Sequence, residues 1–167
     1  MRIIRGPVGV LLVFVAAVII QTTFFGRVRV AGLAPDIVMV TVILATFRLH
    51  GEVALVAGFV GGLMFDVLSS NALGLRALVY TAVAFVALRT RERADVGPLA
   101  VAVWVGVVSL VGVALLLVVG TLFGQLGLSG GEAMRRLILV PVFNMLTALV
   151  LSPFTMRLMR STRRGLW

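Results

Sequence analysis

Six apolar runs, separated by arginines and short turn-like breaks, constrain this sequence more than any other feature. They recur along all 167 residues, and 61% of the chain is hydrophobic, whereas apolar residues make up roughly half of a soluble domain. Such a chain has too little polar surface for a water-soluble globule. The runs predict an all-α integral membrane protein with six transmembrane helices in one bundle. We expect a single transmembrane domain over 1-167, with helices at roughly 7-25, 34-49, 52-68, 75-90, 98-123 and 136-158.

The basic residues are all arginines, and the formal net charge is +9. Because they flank the apolar runs, where positive charge sets topology and meets anionic headgroups, they indicate the lipid bilayer as partner and not nucleic acid. With a cytoplasmic N-terminus, ten arginines face the cytoplasm and five face the other side. This excess predicts a multi-pass protein with both termini in the cytoplasm, although Arg27 and Arg29 lie on the opposite side.

The middle three apolar runs are short for membrane helices. Their uncharged parts, 37–47, 53–65 and 77–88, have 11, 13 and 12 residues, which is about 16 to 20 Å of helix. A spanning helix needs about 20 residues. We therefore expect these helices to carry their flanking charges into the membrane.

Three charged residues at the outer ends of these helices form a predicted polar cluster, or a partner-docking site, of Asp36, Asp66 and Arg76. Arg76 is the expected partner of Asp66, because the intervening residues include Asn71 and Gly74, which are typical of a turn between antiparallel helices. An ionised side chain inside a membrane requires such a partner or water.

Each carboxylate has alternative interpretations. Asp36 follows Pro35, so it is also suited to start a helix, where a carboxylate meets free amides and the positive end of the helix dipole. Asp66 lies near a helix C-terminus, the unfavourable end. It is either part of a structural ion pair inside the bundle, a docking or ligand site, or a solvated loop residue.

Small residues lead up to Asp66 along the third predicted helix. Ala54, Gly58 and Gly62 are four residues apart, and Gly61 lies in an adjacent row. Residues with this spacing share a helix face, and small residues on a membrane helix let another helix approach closely. We expect a helix-packing groove, occupied by a helix of this chain or of a partner, with internal packing favoured.

Catalytic and metal-binding patterns are missing from the sequence. There is no cysteine, and the single histidine, His50, has no second ligand nearby. No phosphate loop, nucleophile elbow or zinc-ligand spacing occurs. We expect neither an enzyme nor a protein with a metal or cofactor.

Two stretches resemble the family of the rod shape-determining protein MreD. They are "APDIVMVTVIL" and "GFVGGLMFDVLSSNALGLRALVY", with a helix that opens on Pro and an acid, then G-F-x-x-G-x-x-x-D-x-x-S, then L-G-x-R-A-L. The resemblance covers Pro35 to about Ala87, a third of the chain.

The resemblance implies a non-catalytic scaffold subunit of the bacterial elongation complex in the cytoplasmic (inner) membrane, which supports lateral peptidoglycan synthesis and cell shape. Its implied partners are an MreC-like protein and, through it, RodA, a class B penicillin-binding protein and, in many rods, the MreB filament. The family's fold is similar to the substrate-binding subunits of energy-coupling-factor transporters. The alternative function is therefore a vitamin-binding subunit of such a transporter.

Overall fold

The computed structural model describes residues 7–23, 32–49, 51–69, 73–94, 97–124 and 130–163, and the regular elements in these ranges are all helices. The α-helices are α1 (Pro7–Thr23), α2 (Ile37–Ala45), α3 (Gly51–Leu68), α4 (Leu75–Thr90), α5 (Pro98–Leu122) and α6 (Gly130–Arg163), and a 3-10 helix covers Arg91–Ala94. The prediction of an all-α protein with six helices is confirmed. Three stretches of the described chain are long and apolar enough to cross a membrane, namely Gly51–Leu68, Pro98–Leu122 and Gly130–Leu151.

Helix α2 lies at the centre of the bundle and packs against each of the other five α-helices. Six of its nine residues are buried. The remaining helices pack in the order α1, α3, α4, α5, α6, each against its neighbours in this series, and the most extensive pairs are α3 with α4 and α5 with α6. Within a bilayer the hydrophobic effect does not drive helices to associate, so close packing and internal hydrogen bonds stabilise such a bundle.

The boundaries of α2 differ from the predicted 34-49. The helix begins after Asp36, whose side chain accepts a hydrogen bond from the Met39 N–H and acts as its N-cap. It ends at Ala45, where the N–H groups of Thr46 and Phe47 bond to carbonyls only three residues earlier and tighten the chain into turns. At nine residues, α2 is about 14 Å long.

The boundaries of α6 also differ, since it begins at Gly130 instead of residue 136 and extends to Arg163. The prediction placed the helix start at the charged residues Arg135 and Arg136, but both lie inside the helix. The observed bounds of α3, α4 and α5 lie within one residue of the prediction. Helix α1 ends at Thr23, and predicted helix residues 24–25 lie outside the described ranges.

Candidate functional site

The structure brings together the three residues of the predicted polar cluster. Asp36 is the common acceptor: its Oδ2 accepts a 2.6 Å hydrogen bond from the Tyr80 hydroxyl and a 3.5 Å contact from Arg76 Nη1. Arg76 Nη1 also donates to the Tyr80 hydroxyl oxygen at 3.3 Å. Since Asp36 Oδ1 caps α2 at the same time, the residue combines the two roles that the sequence left open. It ties the start of α2 to the first turns of α4.

Asp66 binds the backbone at the start of α4, although its position on α3 predicted mainly an ion pair with Arg76. Its Oδ2 accepts hydrogen bonds from the backbone N–H groups of Gly74 and Arg76, both at 3.0 Å, and of Ala77 at 3.4 Å. These are the free amides at the start of α4, for which the N-cap residue Gly74 has no side chain to offer. The carboxylate therefore caps α4 from the neighbouring helix. It lies near the C-terminus of its own helix and at the favourable end of the next one.

The side chains of Asp66 and Arg76 interact only loosely. Arg76 Nε lies 3.9 Å from Asp66 Oδ1, and its guanidinium stacks 4.3 Å above the centre of the Phe65 ring. Asp66 Oδ1 is buried and has no hydrogen-bond partner among the described residues. The main link between α3 and α4 at this end is thus carboxylate to backbone and not carboxylate to guanidinium.

The charges of the polar cluster nearly cancel. Two carboxylates face one guanidinium, which would leave one negative charge inside the bundle. However, Asp36 lies at the N-terminus of α2 and Asp66 at that of α4, and each helix N-terminus carries about half a positive charge. The sum is close to neutral, which favours the burial of two acids inside the bundle.

Two amide side chains, one on α1 and one on α6, bind the backbone at the start of α2. The Gln21 amide donates to the Pro35 carbonyl at 3.0 Å and accepts from the Ile37 N–H at 2.8 Å. The Asn144 Oδ1 accepts from the Asp36 N–H at 2.7 Å, and its Nδ2 donates to the Ser109 hydroxyl at 3.1 Å. Non-helical backbone at membrane depth is tolerated only where protein satisfies its polar groups. Helices α1 and α6 supply those groups here.

Tyr80 is the member of this site that sequence reasoning missed. It is fully buried, and it is the single tyrosine of the chain. The signal that could have found it was its position four residues after Arg76, which places both on one face of α4. A buried tyrosine hydroxyl in an apolar helix needs a hydrogen-bond partner, and the acids already assigned to the polar cluster, Asp36 and Asp66, were the available acceptors.

The predicted groove is filled by helices of the same chain. A Cβ atom on Gly58 would lie 2.8 Å from the Tyr80 carbonyl oxygen, and one on Gly62 would lie 2.5 Å from the Ala77 Cα, so both glycines face α4. Gly61 faces α1 instead, where a Cβ would lie 2.6 Å from the ring of Phe14. Ala54 is also buried. These close approaches also show that α3 and α4 are antiparallel, since rising numbers on one meet falling numbers on the other.

The predicted turn is only partly covered by the described residues. Gly74 has a φ of +94°, a left-handed conformation that glycine adopts without strain. It directs its own N–H toward Asp66. Asn71 lies outside the described residues.

The opposite end of α2 is closed by a cation. Arg91, from the 3-10 helix after α4, donates to the carbonyls of Thr46 and Leu49, the latter at 3.4 Å. Beside it, the Trp104 indole donates to the Thr90 hydroxyl at 2.9 Å and packs 5.0 Å from the ring of Phe47. The short central helix therefore has a carboxylate at its N-terminus and a guanidinium at its C-terminus, the order that the helix dipole favours.

A shallow polar cavity lies away from the polar cluster. It is lined by Gly32, Leu33, Glu132, Arg135 and Arg136, at the start of α6 and the approach to α2. None of the three polar cluster residues lines it. Within the described ranges, no group of three or more His, Cys, Asp or Glu side chains could hold a metal ion.

These features define a class of protein, a polytopic helical membrane protein whose interior charges serve to join helix ends. A comparison with protein-family models finds a match to the rod shape-determining protein MreD over residues 1–162. The chain therefore belongs to the MreD family and is a rod-shape-determining membrane protein. Comparisons with curated proteins and with solved structures found no match.

Proposed function

We propose that this protein is a non-catalytic scaffold subunit of the bacterial elongation complex, in which it binds an MreC-like partner and supports lateral peptidoglycan synthesis. Membership of the MreD family supports the assignment to cell-shape determination. The single observation that carries the scaffold role is that the interior polar groups bond to one another. Asp36, Tyr80, Asn144 and the Oδ2 atom of Asp66 each contact another helix or helix end of the same chain.

Such an arrangement suits a rigid platform better than a catalyst or carrier. A ligand site needs convergent polar groups that remain available around a pocket. In the described chain these groups are used to cap helices and to join α1, α2, α3, α4 and α6. The apolar exterior is left to face lipid and membrane partners.

We place the protein in the cytoplasmic membrane, with both termini in the cytoplasm and the polar cluster toward the outer side. The two-to-one excess of arginines on the proposed cytoplasmic side supports this orientation. Contacts with RodA, a class B penicillin-binding protein and MreB, direct or through the MreC-like partner, belong to the same proposal.

Co-purification tests the scaffold role. The tagged full-length chain is co-expressed with the MreC-like protein of the same organism, extracted in mild detergent and analysed by mass spectrometry. We expect near-stoichiometric recovery of the MreC-like protein, and no bound vitamin. Recovery of a vitamin or of an ATPase module in place of the partner would replace the scaffold by a transporter subunit.

A further inference from the structure

Helix α6 is the least buried of the three long apolar helices. Only 17% of its apolar span is buried, against 33% for α3 and 44% for α5. Between Gly130 and Leu151 the buried residues are Pro141, Asn144 and Ala148, which are three and four residues apart and share one face. In the described chain α6 packs against α5 and α2 and against no other helix. One narrow stripe therefore attaches it to the bundle.

Asn144, in the middle of this stripe, bonds to two other helices. Its Oδ1 accepts from the Asp36 N–H at 2.7 Å, and its Nδ2 donates to the Ser109 hydroxyl of α5 at 3.1 Å. The same Nδ2 lies 3.9 Å from the sulfur of Met39 on α2. Asn144 is fully buried, so breaking these bonds would leave polar groups without partners inside the bundle. The attachment of α6 to α2 is therefore centred on one side chain.

The backbone that Asn144 binds belongs to the most central helix. Helix α2 has nine residues and is not among the described stretches long enough to cross a membrane, so its start lies inside the bundle, where Asp36 is buried. A buried backbone N–H needs a partner from the protein. The Asp36 N–H obtains it from a residue 108 positions later in the chain. The central helix thus depends on the least buried long helix.

We propose that α6 is a strap that opens before the rest of the bundle and thereby uncovers the start of α2, with Asn144 as the latch that keeps the strap closed. Local opening of a folded protein begins where few residues are buried, which selects α6. When α6 moves away, the Asp36 N–H loses its acceptor and Met39 loses its neighbour Asn144. The inference does not depend on the proposed scaffold function.

The pair of α3 and α4 remains closed while the strap opens. A Cβ on Gly58 or Gly62 would lie within 2.8 Å of α4 backbone atoms, so the two helices are in close contact along this face. The carboxylate of Asp66 also caps the start of α4 through backbone N–H groups. None of these contacts involves α6. Opening of the strap therefore leaves them intact.

Thiol labelling of single cysteines tests the strap, because the chain contains no cysteine of its own. Three buried positions serve as probes: Ala148→Cys on α6, Met39→Cys on α2, and Ala54→Cys on α3, on the face that carries Gly58. Each variant is labelled with N-ethylmaleimide in mild detergent, and its rate is divided by the rate of the SDS-unfolded protein. We expect the first two probes to react at similar rates, and at least about tenfold faster than Ala54→Cys.

Removing the latch provides a second measurement. Asn144→Leu keeps a side chain of similar size but breaks both hydrogen bonds. It should accelerate the labelling of Ala148→Cys and Met39→Cys by a further factor of about ten and leave Ala54→Cys unchanged. The matched control is Ser109→Ala, which removes the α5 partner of Asn144 but keeps its bond to Asp36. This control should accelerate the two probes by less than about threefold.

Each contrary result overturns a stated part of the inference. One common rate for all three probes would show that the bundle opens only as a unit, and would overturn the strap. Fast labelling of Ala148→Cys with Met39→Cys as slow as Ala54→Cys would show that α6 opens without uncovering α2. Equal acceleration by Ser109→Ala and Asn144→Leu would overturn the latch on α2. If Asn144→Leu does not fold, the three probes in the otherwise unmodified chain decide the matter.

Discussion

Replacing Asp66 shows whether it stabilises the protein by capping α4 or by pairing with Arg76. Asp66→Ala removes the acceptor of three backbone hydrogen bonds at the start of α4. At about 1 kcal/mol for each, the free energy of unfolding should fall by about 3 kcal/mol. Asp66→Asn keeps an acceptor oxygen but loses the negative charge at the N-terminus of α4. This loss should lower the free energy of unfolding by about 1 kcal/mol.

The matched comparison is Arg76→Gln. It removes the guanidinium but keeps the backbone N–H that Asp66 binds. Because the two side chains are 3.9 Å apart and share no hydrogen bond, the coupling in a double-mutant cycle should be about 0.5–1 kcal/mol, with the double variant less damaged than the sum of the singles. Most of the Asp66→Ala loss should therefore persist in the Arg76→Gln background.

The measurement is unfolding by SDS in mixed micelles, followed by far-ultraviolet circular dichroism, for the four variants and the unmodified protein. The expected order of stability is unmodified, Asp66→Asn, then Asp66→Ala. If Asp66→Ala does not lower the free energy of unfolding in the Arg76→Gln background, the ion pair and not the cap stabilises α4. If Asp66→Ala is as stable as the unmodified protein, neither the cap nor the ion pair stabilises α4.

Three further substitutions test other contacts by the same unfolding measurement. Gly62→Ala should lower the free energy of unfolding by about 2 kcal/mol, because its Cβ would meet the α4 backbone. The control Gly51→Ala, whose Cβ would point into open space, should lower it far less. Equal effects of the two substitutions would show that the close approach of α3 to α4 is not the cause. Tyr80→Phe should cost about 2 kcal/mol, since it leaves Asp36 without its shortest hydrogen bond, and an unchanged stability would contradict that role. Arg91→Gln should lower the free energy of unfolding by about 1 kcal/mol, because the carbonyls after the end of α2 lose their cationic donor. A variant as stable as the unmodified protein, or more stable, would refute this role of Arg91.

The apolar runs predicted the fold class because membrane helices must satisfy their backbone locally, which makes length and hydropathy sufficient signals. The same reasoning placed Asp36, Asp66 and Arg76 at one end of the bundle. Their separation along the chain matched antiparallel helices of similar length, and the structure brings them within 4 Å of one another in two pairs.

The contacts that the sequence did not reveal come from residues distant along the chain. The start of α2 depends on Gln21 and Asn144, and its end depends on Arg91. The end of α2 is closed by Arg91 from another element and carries no local signal comparable to Asp36 at its start, so a pattern of apolar residues overestimated the length of the helix. Similarly, the capping of α4 by Asp66 requires the fold of the intervening turn, which spacing alone does not determine.

The unequal lengths of the helices have a consequence for the surrounding lipid. Helices α3 and α4 have 18 and 16 residues, whereas α5 has 25, so their lengths are about 27, 24 and 38 Å. A hydrocarbon core is about 30 Å thick. We expect the bilayer to thin, or flanking residues to snorkel, beside α3 and α4, while α5 tilts or thickens the bilayer on its own side. We expect the membrane around the protein to be thinner on one side than on the other, which would favour neighbours whose hydrophobic spans match the local thickness on each side.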